Sequence, residues 1–170
     1  MNIKSILLTS FAVVSTVLSA NAQKTVVDVA VGSPDHTTLV AAVKAADLVG
    51  TLQSAGPFTV FAPTNAAFGK LPAGTVESLL KPESKTKLTQ ILTYHVVAGN
   101  LDAAAVVKAI KDGGGSVTLK TVSGGSLKAS MKKKNVILTD ENGGVATVVV
   151  TNLKADNGIV HVIDGVILPK

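Results

Sequence analysis

Three histidines are the side chains in this sequence best suited to acid–base chemistry or metal binding near neutral pH: His36, His95 and His161. Metal sites generally need His, Cys or carboxylate ligands at short, fixed spacing, such as two histidines one helical turn apart. These histidines lie far apart in the chain, and there is no cysteine. The pattern predicts no metal site. We expect His95 and His161 to be buried imidazoles that pair with a neighbouring carbonyl or carboxylate.

The sequence also lacks the local patterns of nucleophilic catalysis and of phosphate binding. No Gly-x-Ser-x-Gly turn occurs. The glycines at 113–115 and the Gly69-Lys70 pair do not fit the Gly-x-x-x-x-Gly-Lys-Ser/Thr phosphate loop. The sequence therefore predicts no catalytic residues and no cofactor. A hydrolase would require a nucleophile within hydrogen-bond reach of His95 or His161.

One cluster of charge stands out, at Lys132, Lys133 and Lys134. It lies between two predicted strands, where a solvated turn is the ordinary explanation, and attraction to an anionic cell-surface polymer is the alternative. Every basic side chain in the protein is a lysine, and the formal net charge is +5. Nucleic-acid sites favour arginine, whose planar fork binds phosphate through two hydrogen bonds. We therefore expect no nucleic-acid binding.

The N-terminus has the pattern of a secretory signal. Lys4 precedes an apolar run at 6–18, and the small residues Ala20 and Ala22 have the spacing that signal peptidase requires. The run is too short and too rich in Ser and Thr to span a bilayer core of about 30 Å. The prediction is a signal peptide at 1–22 and a single domain at 23–170, secreted to the periplasm, cell surface or medium, with no membrane span in the mature chain.

The elements predicted to position these residues are helices first and strands later. Helical spacing dominates up to about residue 112, and alternation with a period of two begins at Ser116. An isolated strand at 58–62 ends at Pro63, and Thr64 or Asn65 can cap the helix that follows. The order predicts an α+β domain, with helices on a twisted antiparallel sheet. The continuous apolar run at 148–150 predicts a strand that is covered on both faces.

Three segments together resemble the fasciclin domain family. They are residues 59–68 (TVFAPTNAAF), the pair at 94–95 (YH) and residues 157–169 (NGIVHVIDGVILP). The residues that carry the resemblance and are expected to serve mainly the fold are Thr59, Phe61, Pro63, Thr64, Asn65, Phe68, Gly158, His161, Asp164 and Pro169. Phe58, Phe61 and Phe68 are three of the four phenylalanines. Large rings bury the most apolar area, so we expect the core around them.

The resemblance implies a β wedge or sandwich flanked by helices, without enzyme activity or cofactor, that serves extracellular adhesion. This chain resembles the short, single-domain secreted form found in bacteria, and a monomer is expected. Family members that bind integrins use an Asp-Ile pair, where this chain has Asn152-Leu153, and the tyrosine–histidine pair, here Tyr94 and His95. Tyr94, His95 and the three lysines are thus candidate contacts for an extracellular protein or cell-surface polymer. A carrier of small apolar ligands is the alternative function, ahead of a hydrolase.

Overall fold

A computed structural model describes residues 24–170, in which seven α-helices and seven β-strands form an α+β fold. The helices are α1 (Val26–Val31), α2 (Thr37–Ala45), α3 (Val49–Gln53), α4 (Asn65–Gly69), α5 (Thr75–Leu79), α6 (Lys85–Tyr94) and α7 (Ala103–Asp112). The strands are β1 (Phe58–Pro63), β2 (Val96–Ala98), β3 (Ser116–Lys120), β4 (Ser126–Lys132), β5 (Asn135–Thr139), β6 (Val145–Ala155) and β7 (Gly158–Ile163). The predicted signal peptide lies outside the described residues.

The seven strands form one sheet in the order β2-β1-β7-β6-β5-β4-β3. Neighbouring strands are antiparallel, as expected, except that β1 and β7 are parallel. Since the helical half of the chain separates β1 from the strands at its C-terminal end, β7 can return beside β1 in the same direction. The sheet is therefore mixed.

The two outer strands of this sheet approach each other and nearly close it. The amide of Val122 donates a hydrogen bond to the carbonyl of Val96 at 2.8 Å, and an isolated antiparallel bridge joins Val97 to Thr121. A closed or nearly closed sheet protects the strand edges that would otherwise pair with other chains. The result is a wedge-shaped barrel with helices against one side.

The sheet separates two hydrophobic clusters, and β1 contributes to both because its side chains alternate between the faces. Phe61 lies inside the barrel, with Tyr94, Leu127 and Leu138. Phe68 packs in the other cluster, between the sheet and the first six helices. The expectation that the core forms around the aromatic stretch is therefore confirmed for these two rings, whereas Phe58 is half-buried.

The prediction for 148–150 is wrong. Val148 is buried, but Val149 and Val150 are 54% and 44% exposed. The pairing of β6 with β7 shifts register between Val148 and Val150 and again before Leu153. Such bulges turn successive side chains away from the regular alternation. An apolar run therefore does not indicate two covered faces here.

Among residues 24–170, no helix combines the length and the apolar character that crossing a bilayer would need.

Candidate functional site

The strand–helix junction after β1 is held by the residues that the first motif supplies. The Thr64 hydroxyl accepts a hydrogen bond from the amide of Ala67 at 3.2 Å, which confirms the predicted cap of α4. Asn65 instead joins α4 to the start of α2. Its side-chain oxygen accepts from the amide of Thr38, and its nitrogen donates to the carbonyl of Pro34, both at 3.0 Å. Both side chains are thus used within the fold.

Thr59 is fully buried and connects β1 to the loop before α7. Its hydroxyl donates to the carbonyl of Gly99 at 2.7 Å and accepts from the amide of Leu101 at 2.9 Å. Both bonds satisfy backbone groups that would otherwise be unpaired in the interior. Thr59 therefore ties β1 to the loop before α7 at two points.

His161 is buried beside the ring of Phe61, with which it stacks. Its Nε2–H donates to the carbonyl of Leu101 at 2.8 Å, and its Nδ1 accepts a long bond from the amide of Asn152 at 3.4 Å. Burial lowers the pKa of His161, although the Leu101 carbonyl and the charge of Asp102 oppose the shift. The ring is therefore neutral near pH 7 and joins the loop before α7 to β6.

Tyr94 has no exposed surface, and its hydroxyl lies at the end of the barrel interior. It donates to the carbonyl of Ser126 at 2.6 Å and accepts from the amide of Glu141 at 3.3 Å. Burial raises the pKa of Tyr94. The phenol thus links α6 to two turns that lie far away in sequence.

His95 follows Tyr94 as the C-cap of α6 and is only 2% exposed. Its Nδ1–H donates to the carbonyl of Ile91 at 2.8 Å, and its Nε2 accepts from the amide of Ile167 at 3.2 Å. Burial lowers the pKa of His95 from 6.5 to about 4, against the opposing effects of the Ile91 carbonyl and of Asp140. Tyr94 and His95 therefore contribute packing and hydrogen bonds in this structure, and offer no accessible surface to a partner.

The rest of the second motif also serves the fold. Gly158 packs so closely on β1 that a Cβ there would collide with the carbonyl oxygen of Phe58. The carboxylate of Asp164 accepts from the amide of Thr147 at 2.7 Å, and its backbone carbonyl accepts from the Lys70 ammonium at 2.6 Å. The carbonyl of Pro169 accepts from the Asn142 side chain at 3.0 Å.

Two structural side chains were not singled out by sequence reasoning. Asp140 is buried, and its carboxylate accepts from the amides of Asn142, Gly144 and Leu168 at 2.7–2.9 Å. An Asp two residues before an Asn-Gly-Gly turn is a recognisable turn-capping pattern, so the sequence does contain a local pattern that predicts the role of Asp140. Asn157 accepts from the amide of Val26 and donates to two carbonyls near α3, and no local pattern indicates those remote bonds.

Asn152, at the position where integrin-binding relatives carry the Asp, is also used within the fold. Its backbone adopts a left-handed conformation with φ of 60°, and its side-chain oxygen accepts from the amide of Ala103 at 2.8 Å. That bond anchors the first residue of α7. The position holds an amide in a structural role, so it supplies no carboxylate for a bound cation.

His36 is the one histidine in residues 24–170 that contacts a hydroxyl, with its Nδ1 2.8 Å from Ser33 Oγ. The two residues share a 3₁₀ turn, so the contact is local. Within the described residues, no hydrogen bond orients His36 Nε2. Burial lowers the pKa of His36, and the charge of Asp35 and the nearby Ala62 carbonyl oppose this shift. The arrangement therefore lacks the third group that orients the base in a catalytic triad.

Two cavities bear on function, an open cleft and a small apolar cavity. An open cleft of about 630 Å³ has mixed polar lining that includes Asp102, Asn152, Lys154 and Asp156. An apolar cavity beside His95, under α1 and α2, has a volume of only about 30 Å³. That volume corresponds to about one water molecule. Within the described residues, no group of three histidines or carboxylates is placed to hold a metal ion.

The three clustered lysines are exposed where β4 turns into β5: Lys132 ends β4, and Lys133 and Lys134 form the turn. Lys133 adopts a left-handed backbone conformation with φ of 58°, as tight hairpin turns require. Lys132 closes β4 opposite Asn135. These side chains are accessible, in contrast to Tyr94 and His95.

Comparisons with known proteins agree with this geometry. A family model described as "Fasciclin domain" matches residues 34–169. Protein sll1483 of Synechocystis is 51% identical over 93% of this chain and 80% of its own length. Immunogenic protein MPB70 of Mycobacterium bovis is 41% identical over 81% of this chain and 65% of its own length.

A solved FAS1 domain pair from the insect cell adhesion molecule fasciclin I superposes with a TM-score of 0.75 at 22% sequence identity. The superposition covers 85% of this chain and 51% of the insect chain, and it shows the same fold. The resemblance stated on the three motifs is therefore confirmed. This chain belongs to the fasciclin domain family.

Proposed function

We propose that the protein is a secreted, monomeric module that works by contacting an extracellular protein or a cell-surface polymer, without catalysing a reaction. The observation that carries this proposal is the match of residues 34–169 to the fasciclin domain. Relatives named for surface roles support it, among them a cell surface glycolipoprotein, MPB83, of Mycobacterium bovis, which is 36% identical over 87% of this chain. The solved structural neighbour is a cell adhesion molecule.

The placement of the histidines supports a function without catalysis. Both ring nitrogens of His95 bond to backbone groups, and so do both of His161. A general base must have a free nitrogen within reach of the proton it removes. Neither ring meets a hydroxyl, so the requirement stated for a hydrolase is not met within the described residues.

The dimensions of the apolar cavity weigh against the carrier alternative. Pockets for small ligands usually measure several hundred Å³. The apolar cavity beside His95 is more than tenfold smaller than that range. The larger cleft is open to solvent, and its mixed lining includes charged side chains, which does not suit an apolar ligand.

Secretion forms part of the proposal and has its own test. We expect the signal at 1–22 to be removed, so that the mature chain begins at Gln23. Mass spectrometry of the protein from the periplasmic fraction and from the medium measures this terminus directly. A chain that retains Met1 and stays in the cytoplasm would contradict the proposal.

Contact with a surface is tested by binding of labelled residues 23–170 to intact cells or envelope material of the native organism. We expect saturable binding, competed by the unlabelled domain. The matched control is the same protein after thermal unfolding, which keeps the charge and loses the surfaces. Binding that does not saturate, or that survives unfolding, would count against the function.

A further inference from the structure

The outward side of strands β3, β4 and β5 and of the first residues of β6 carries charge of one sign, whereas the C-terminal part of β6 packs against α1. Antiparallel register sets Lys120 opposite Ser126, Lys128 opposite Thr118, and Lys132 opposite Asn135. The three lysines and their cross-strand partners alternate along the strands with buried residues such as Leu119, Leu127 and Leu138. The side chains of the lysines and their partners therefore point away from the barrel interior. We call this outward side the lysine face.

The lysines of this face have no carboxylate partners. Lys120, Lys128 and Lys132 are exposed, and the ion pairs within residues 24–170 involve other lysines, Lys70 and Lys85. No outward residue of the four strands is Asp or Glu. Lys133 and Lys134 add two more positive charges at one end. One carboxylate borders the face, because Glu141 Oε1 accepts from the amide of Ser126 at 2.9 Å, opposite Lys120. The face is thus a patch of net positive charge.

The spacing of the lysines suits an extended partner with repeated charge. Lys120 and Lys128 are diagonal neighbours on adjacent strands, which sets their Cα atoms about 7–8 Å apart. Lys128 and Lys132 are four residues apart on one strand, or about 13 Å. Like charges at these distances repel, so a ligand with anionic groups at similar intervals would relieve the repulsion.

The groups between the lysines are mainly hydroxyls, with the half-buried Ile137 among them. Thr118, Ser126 and Ser130 share the outward side of β3 and β4, and Thr139 and Thr147 continue it on β5 and β6. Hydroxyls both donate and accept hydrogen bonds, as sugar hydroxyls do. A row of ammonium and hydroxyl groups matches a polymer that carries carboxylates and hydroxyls.

The shape and composition of the face argue against a lipid bilayer. Val145 and Val149 are exposed, but they stand on paired strands at one margin, and the face contains no aromatic side chain. Binding to a bilayer usually uses a protruding or helical apolar surface with Trp, Phe or Leu. Lysine offers a point charge, which can pair with a single carboxylate oxygen without the two-point geometry that an arginine fork imposes.

We propose that the lysine face binds a carboxylated polysaccharide, with the ammonium groups of Lys120, Lys128 and Lys132 paired with carboxylates at intervals along one polymer chain. This inference rests on the proposed surface-contact function and specifies the chemistry of the partner. The hydroxyls of the face, exposed at Thr118 and half-buried at the other positions, hydrogen-bond to the sugar hydroxyls.

The test measures the affinity of residues 23–170 for polygalacturonate at low salt, with its methyl ester and neutral dextran as ligand controls. The variant K120Q/K128Q/K132Q removes the face charge. The variant K81Q/K87Q/K111Q removes the same charge from exposed lysines on or near helices. We expect the first variant to lose about tenfold or more in affinity, which is the combined effect expected from losing three exposed ion pairs. The affinity of the second variant should change little.

A third variant, K120R/K128R/K132R, keeps the charge and should retain binding, which separates loss of contact from damage to the strands. Equal losses in both Gln variants, equal binding of the methyl ester, or binding to anionic lipid vesicles in preference to polygalacturonate would overturn the proposal.

The same variants on native envelope material distinguish this inference from the proposed function. If the wild type and K120Q/K128Q/K132Q bind envelope equally, the function stands and the lysine face is not the contact surface. If the wild type binds polygalacturonate through the lysines but no envelope material, the ligand chemistry holds and the proposed function fails.

Discussion

The ring of Phe61 stacks on the imidazole of His161, with centroids 5.6 Å apart and planes inclined by 25°. The two residues are also direct partners in the parallel pairing of β1 with β7. They belong to the first and second sequence motifs, which are separated by most of the domain. The motifs therefore mark two neighbouring strands at the centre of the fold, where their side chains fill the barrel and join its loops.

Replacing Phe61 by alanine should strongly destabilise the domain. The ring is 1% exposed and packs against His161 inside the barrel. Removing a buried phenylalanine typically costs about 3–5 kcal/mol, because the cavity left behind is only partly filled. Urea unfolding of Phe61→Ala measures the loss, with Phe61→Leu as a control that keeps much of the volume. An unchanged unfolding midpoint for the alanine variant would refute this core position.

Acid should destabilise the domain through His95. Its folded pKa of about 4 lies below the 6.5 of an unperturbed imidazole. The folded state disfavours the charged ring, so the domain is more stable when His95 is neutral. This stabilisation is complete above about pH 6.5 and is lost progressively towards about pH 4. The full loss is roughly 3 kcal/mol for a difference of this size.

Free energies of unfolding measured across this pH range check the effect. His95→Gln keeps one donor and one acceptor but does not titrate, so its pH dependence should be flatter. Some dependence will remain, because burial lowers the pKa values of His36 and His161 as well. Parallel pH profiles for the wild type and the variant would show that His95 does not contribute.

Tyr94 provides a direct spectroscopic readout of the barrel interior. It is the single tyrosine, and the sequence contains no tryptophan, so near-ultraviolet absorbance reports its ionisation alone. Burial raises its pKa in the folded state. We expect the phenol to ionise at a higher pH in the native protein than in urea, where it should titrate near 10. Identical titration curves in the two states would mean that the hydroxyl is solvated.

Gly158→Ala should disrupt the pairing of β1 with β7. A Cβ at that position would meet the backbone of Phe58, which cannot move without breaking the strand ladder. Gly50→Ala is the matched control, since it lies in α3 and a Cβ there has no neighbour within 4 Å. The control should gain up to about 1 kcal/mol of stability, because Ala favours a helix over Gly. Similar melting temperatures for both variants would contradict the close approach.

The parts of the fold that were predictable from sequence depend on local signals. The cap by Thr64 is confirmed, because a capping hydroxyl bonds to an amide only three residues away. The α+β class is confirmed for the same reason, since helical and strand periodicities are local. The parallel pairing of β1 with β7 has no such signal and was not predicted.

The exposure of the candidate contact residues was predictable from the local sequence only in part. The exposure of Lys132 to Lys134 was predictable because a run of charge between strands is a solvated turn. The burial of Tyr94 depends on the turns at Ser126 and Glu141, which reach it only after folding. The lysine face likewise depends on the register of four strands, which single-strand alternation does not specify.

The central claim is that the protein acts by surface contact while its buried motif residues maintain the fold. The most direct test is a binding isotherm of residues 23–170 on native envelope material, for the wild type and for Tyr94→Phe, at a temperature where both are folded. We predict saturable binding with the same dissociation constant for both proteins, although the variant should unfold more easily because buried backbone groups lose their partner. An absence of saturable binding by the wild type, or a large loss of affinity in folded Tyr94→Phe, would contradict the account.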